Sequence, residues 1–186
     1  MNVYKKIQVA LLLCGATFIA AAENGTKTLA EIEAALNPLD VVANHGGVRR
    51  SIDLNIRFAL NSAQLQSGSD QQVLALGKAI SESGLRLCNI MLIGHTDATG
   101  SDQTNMALSQ ARANTIKSVL VDQFGLDANN LHAEGMGELQ LLEGLATNDP
   151  RHRRVEITLA DVDACKAAMQ SQSQTEEKST NMQIQW

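Results

Sequence analysis

The sequence is poor in aromatic residues, proline and positive charge, and each shortage removes a class of function. Aromatics make up 3% of the 186 residues, too few for a platform on which bases or sugars stack. Two prolines exclude a collagenous or proline-rich chain. Fifteen Lys and Arg stand against 20 Asp and Glu, a formal net charge of -5. That balance argues against a nucleic-acid partner, because neutralising phosphates requires clustered cations. A hydrophobic share of 44% is ordinary and excludes a multi-span membrane protein. The length suits one small globular domain with a margin.

The amino terminus reads as an export signal. Lys5 and Lys6 form a positive n-region, and the apolar stretch from Ile7 to about Ala20 is too short for a comfortable membrane span. Ala20-Ala21-Ala22 offers an A-x-A cleavage site, so residues 1–22 are expected to be a cleaved signal peptide. Leu13 before Cys14 is larger than the residue that usually precedes a lipidated cysteine. The expectation is therefore a soluble periplasmic protein without a lipid anchor. Removing residues 1–22 leaves 164 residues, takes away two lysines and no acid, and moves the charge to -7. Two cysteines remain, Cys88 and Cys165, and in an oxidising compartment such a pair is expected to be bridged. No C-x-x-C spacing is present, so the bridge would be a staple and not a redox centre.

Periodicity divides the rest. Residues 23–50 form a lead-in in which Thr28 and Glu31 make a capping box, with Leu29, Ile32, Ala35 and Leu36 on one face of a short helix ending before Pro38. His45-Gly-Gly-Val48 reads as a turn or linker. Ile52, Leu54, Ile56 and Phe58 alternate with Asp53, Asn55 and Arg57, which predicts a half-buried strand. Val73, Leu76, Ala79 and Ile80 predict a helix over 72–83. Residues 89–94 are continuously apolar, the mark of a central strand buried on both faces. A second helix is expected over 105–124 with Leu108, Ala111, Thr115, Val119 and Leu120 on its inner side, closed by Gly125. Short strands are expected over 131–137 and 154–159. The Gln- and Ser-rich residues 164–186 are expected to be a disordered polar tail. The order is β-α-β-α-β-β, an α+β fold with two main helices layered on a mixed sheet.

Chemistry concentrates between the second strand and the second long helix. Asp97 falls at a strand's carboxyl end and Arg112 on the following helix, a place where loops carry polar groups and ligands collect. One carboxylate and one guanidinium converging on a cleft suit a ligand bearing both ammonium and carboxylate. His45, His95, His132 and His152 show no metal-binding spacing, Ser109 lies in no nucleophile elbow, and His95 is expected to pack beside the strand end. Neither a cofactor nor a metal is expected.

The segments GHTDATG, NMALSQARA, GMGE and HRRVEI, in this order, resemble the OmpA-like peptidoglycan-binding domain over about Asp53 to Asp161, a span enclosed by an expected domain of 51–163. The resemblance implies two main helices on a mixed four-stranded sheet, non-covalent binding of the cell-wall stem peptide, and no catalysis. It implies that Asp97 takes the ammonium of diaminopimelate and Arg112 its carboxylate, with Thr99, Asn105, Arg153 and Asn61 lining the pocket. His152 stands where the family generally has asparagine, and Met136 where it generally has an aromatic residue. The resemblance also leaves a second reading, an interaction module of a membrane, motor or secretion complex in which wall binding is secondary. A third, a periplasmic hydrolase using Asp97 and His95, lacks a second carboxylate, a metal spacing or a nucleophile motif.

Overall fold

The computed structural model describes residues 25–39 and 49–183. The expected signal peptide, the turn at residues 45–48 and Trp186 lie outside the described residues. Four strands form one sheet in the order β1-β4-β2-β3: β1 (Ser51–Leu54), β2 (Ile90–His95), β3 (Leu131–Gly137) and β4 (Val155–Leu159). β2 runs parallel to β3 and antiparallel to β4, which also pairs antiparallel with β1. Two main helices, α2 (Asp70–Ser81) and α3 (Asp102–Phe124), pack on this mixed sheet. The α+β architecture is the expected one.

Each element has a local cause. Central β2 is apolar from Ile90 to Gly94, and Ile90, Leu92 and Ile93 are buried. Val73, Leu76, Ala79 and Ile80 of α2 recur at helical spacing and are all buried against the sheet. Gly125 closes α3 in the left-handed conformation at φ 64°, where a side chain would be strained. The short helix α1 (Leu29–Leu36) carries its capping box, and its Ile32 and Leu36 are fully buried in the same core. Fully burying two such side chains contributes about 1.5–3 kcal/mol each.

Three expectations change. The alternation at 52–58 persists as burial, with Leu54 and Ile56 inside and Asp53, Asn55 and Arg57 outside. The ladder nevertheless ends at Leu54, because its partner β4 begins at Val155; Phe58 instead makes an isolated bridge to Leu65. The inner face of α3 is also rotated from the expected one: Asn105, Ser109, Arg112, Ala113, Ile116 and Leu120 are buried, and Ala111 is exposed. Finally, the expected disordered tail at 164–186 is corrected. Residues Val162–Gln183 form helix α4. Its first turns are tied down by a Cys88–Cys165 disulfide and by Met169 against Gly84, anchors that polar composition alone does not reveal. Among the described residues no helix is long and apolar enough to cross a membrane.

Candidate functional site

The site lies at the carboxyl end of β2. Backbone bonds tie the loop beyond it on three sides: His95 N–H donates to the Arg154 carbonyl, Thr96 N–H to Gly137, and Ala98 N–H to Thr147. Asp97 is thereby held with only 7% of its surface exposed. Its Oδ1 accepts the Thr99 backbone N–H at 3.0 Å, and its Oδ2 accepts Arg153 Nη1 at 2.5 Å. Burial acts to raise the Asp97 pKa, but the bonds from Arg153 and Thr99 outweigh it and hold the carboxyl below its ordinary 3.8.

Arg112 projects from α3 toward the same end and is 8% exposed. Its Nε donates to the Ser62 carbonyl at 3.1 Å, and its guanidinium lies over the Phe58 ring at 5.1 Å from the centroid. Burial and the neighbouring Arg153 lower its pKa while Asp97 opposes them; guanidinium remains charged at any physiological pH. Ser62 and Phe58 thus fix one edge of the fork, and no bond from its η nitrogens is found among the described residues.

Two glycines let α3 approach this closely. A Cβ on Gly94 would meet the Ser109 carbonyl oxygen, and one on Gly135 the Gln110 backbone nitrogen. Ser109 itself is a clamp: fully buried, it accepts the Gly137 N–H at 2.9 Å and donates to the Met106 carbonyl.

Not every expected residue touches the cleft. Asn105 is buried as a brace, donating to the Asp97 carbonyl at 3.2 Å and to Glu138 Oε2 at 2.5 Å. Thr99 is exposed and serves Asp97 through its N–H. Asn61 is exposed at φ 48° and turns the loop whose next residue, Ser62, holds Arg112. Glu138, the last residue of the GMGE segment, braces the site through Asn105, a role that no local pattern in the sequence marks. His152, in the asparagine position, is fully buried; its Nδ1 accepts the Leu142 N–H at 3.0 Å and its Nε2 reaches the Ala146 carbonyl at 2.8 Å. That bonding fits a neutral ring protonated at Nε2 and pins the loop between β3 and β4.

His95 packs at the strand end as expected, 1% exposed. It makes no hydrogen bond with either ring nitrogen, although Nε2 lies 3.4 Å from Glu156 Oε2. Burial, with Arg154 and Arg49, lowers its pKa to about 4, so the ring is neutral at pH 7. Among the described residues no group of His, Cys, Asp and Glu could hold a metal ion.

The model that describes the OmpA family matches residues 57–155, more than half of the chain. The chain belongs to the OmpA family. The probable lipoprotein YiaD of Escherichia coli is 33% identical over 108 residues, covering 57% of this chain and 48% of YiaD. Outer membrane porin F of Pseudomonas aeruginosa is 30% identical over 115 residues, covering 61% of this chain and 31% of the porin. The OmpA-family chain thus spans about half of YiaD and about a third of porin F. Among solved structures, the cell wall anchor of the T6SS from Pseudomonas aeruginosa aligns with TM-score 0.50 and 27% identity, over 60% of this chain and 80% of that one. The OmpA-like domain of FopA1 from Francisella tularensis aligns with TM-score 0.51 and 24% identity, over 62% and 80%, a likeness of fold. The family match at 57–155 contains Asp97, Arg112 and Arg153 together.

Proposed function

We propose that this OmpA-family protein is a non-catalytic module of the bacterial envelope. It is exported to the periplasm by cleavage of residues 1–22, and it grips peptidoglycan at the diaminopimelate of the stem peptide. The observation that carries the reading is the opposition of Asp97 and Arg112 at one strand end, each nearly buried and each anchored by other bonds. Oriented charges of opposite sign match the free ammonium and carboxylate at one end of diaminopimelate. Arg112 can hold the carboxylate through two parallel bonds, which lysine cannot reproduce. Asp97 has lone pairs left to accept the ammonium beside its bonds from Thr99 and Arg153. The likeness to the T6SS cell wall anchor of Pseudomonas aeruginosa supports the same class of role.

Charge-assisted bonds contribute about 1.5–3 kcal/mol each before association costs. One stem peptide should therefore bind at roughly millimolar to tens of micromolar, and several copies on the repeating wall would hold much more firmly. Purified sacculi provide the test. Wild-type protein should co-sediment with them and be released by meso-diaminopimelate. Co-sedimentation that persists in a folded Asp97→Ala, Arg112→Ala double variant would remove the pocket from the reading.

A further inference from the structure

Arg112 and Arg153, the partner of Asp97, line a larger cleft of about 390 Å³, a size that accommodates a short peptide. No carboxylate lines it, yet Arg57, Arg112, Arg151, Arg153 and Arg154 do, with His95 among the lining residues. In a chain of net charge -5, five guanidinium groups on one cleft are a local inversion of sign.

Three of the five are already committed. Arg151 forms a two-bond fork with Asp149 at 2.9 and 3.0 Å. Arg153 pairs with Asp97, and Arg154 Nε lies 3.1 Å from Asp53. Arg112 keeps its η nitrogens available, and Arg57 has neither an ion pair nor a side-chain hydrogen bond among the described residues. The cleft thus offers two unneutralised guanidinium groups, while a single amino-acid head carries one carboxylate.

We infer that Arg57 forms a second carboxylate subsite, so that the cleft reads two carboxylates of one peptide, the first at Arg112 and the second at Arg57. The inference rests on the peptidoglycan reading and sharpens its ligand. A stem peptide offers two sources for the second anion, the α-carboxylate of the γ-linked D-glutamyl residue and the carboxylate at the peptide's end. Arg57 stands on the strand-like run after β1, exposed between inward Ile56 and half-buried Phe58. It lines the cleft next to Phe58, the residue whose ring carries the Arg112 guanidinium. Its exposure makes the expected gain modest, about threefold to tenfold in affinity.

Calorimetric titration of the full mature chain and its Arg57→Gln variant tests this. The ligands are D-lysine, which has one amino-acid head of diaminopimelate and lacks its second carboxylate, L-Ala-γ-D-Glu-meso-diaminopimelate, the same tripeptide with the glutamyl α-carboxylate amidated, and the tetrapeptide ending in D-Ala; free meso-diaminopimelate checks the parent reading. Wild-type protein should bind a peptide with the second carboxylate about threefold to tenfold more tightly than D-lysine. Arg57→Gln should erase that gain and leave D-lysine binding unchanged. A gain lost on amidation identifies the glutamyl source; a gain that survives amidation and depends on the terminal residue identifies the other. Equal weakening of all four ligands by Arg57→Gln, or no weakening of any, overturns the subsite. If free diaminopimelate fails to bind wild-type protein, the parent reading fails and the subsite with it.

Discussion

Asp97 and Arg153, 56 positions apart in sequence, meet as a hydrogen-bonded ion pair just beyond the end of β2. Antiparallel pairing of β2 with β4 causes this, because it sets the end of one strand beside the start of the other. The arginine orients the carboxylate that is to meet an ammonium, and its positive charge also lies close enough to Arg112 to lower that group's pKa.

Replacing Arg153 by glutamine should therefore weaken diaminopimelate binding by about threefold to tenfold and change its pH dependence. Binding that needs the Asp97 carboxylate is present above its pKa and lost as pH falls through it. In wild-type protein that pKa lies below the ordinary 3.8, with Arg153 and Thr99 overcoming the effect of burial. In Arg153→Gln the loss should begin at higher pH, measurable by titrating ligand affinity from pH 6 downward. An unchanged acid limb would mean that Arg153 does not position Asp97.

His95 gives a second pH signature, in stability. Its folded pKa of about 4 lies below the ordinary histidine value of 6.5, through burial and the charges of Arg154 and Arg49. Between those values the unfolded chain binds the extra proton, so stability is full above about pH 6.5 and falls as pH drops toward 4. The loss is on the order of 3 kcal/mol. Denaturant titrations of wild type and His95→Gln across that window should show a sloping and a flatter profile respectively. Parallel slopes would contradict the assignment.

How much of this was legible in the sequence differs by residue. The central strand, the helix at 70–81 and the capping box at Thr28 were legible because each rests on local periodicity or a local hydrogen bond. The inner face of α3 was not, because its first half is buried through Asn105, Ser109 and Arg112, polar residues that an apolar stripe cannot mark. The motif placed Asp97 and Arg112 on neighbouring elements, but their anchors, Arg153 and the Ser62 carbonyl, are set by tertiary pairing. Helix α4 was hidden for a similar reason: its polar composition reads as a tail, and its hold comes from Cys165 and Met169.

The disulfide joins residues 77 apart and lies by the start of β2, whereas Asp97 follows its end. A bridge of that span contributes about 4 kcal/mol in the chain-entropy model. A Cys88→Ser, Cys165→Ser double variant should lose stability of that order in urea unfolding, while keeping its affinity for diaminopimelate at neutral pH. A matching loss of affinity would show that the staple also shapes the site.

Gly94→Ala should test the close seating of α3. The added methyl meets the Ser109 carbonyl, which belongs to helix backbone and has little room to yield. A cost of about 1–3 kcal/mol is expected from such overpacking, together with weaker ligand binding as Arg112 moves with the helix. Wild-type stability in this variant would show that the helix can shift freely.

The most direct measurement is calorimetric titration of meso-diaminopimelate into wild-type protein, Asp97→Ala and Arg112→Ala, each checked for folding by circular dichroism. Saturable binding in the wild type, at about tens of micromolar to millimolar, and none in either folded variant is the expected result. No binding by the wild type, or wild-type affinity in both variants, would contradict the assignment of Asp97 and Arg112 to the ligand's two charges.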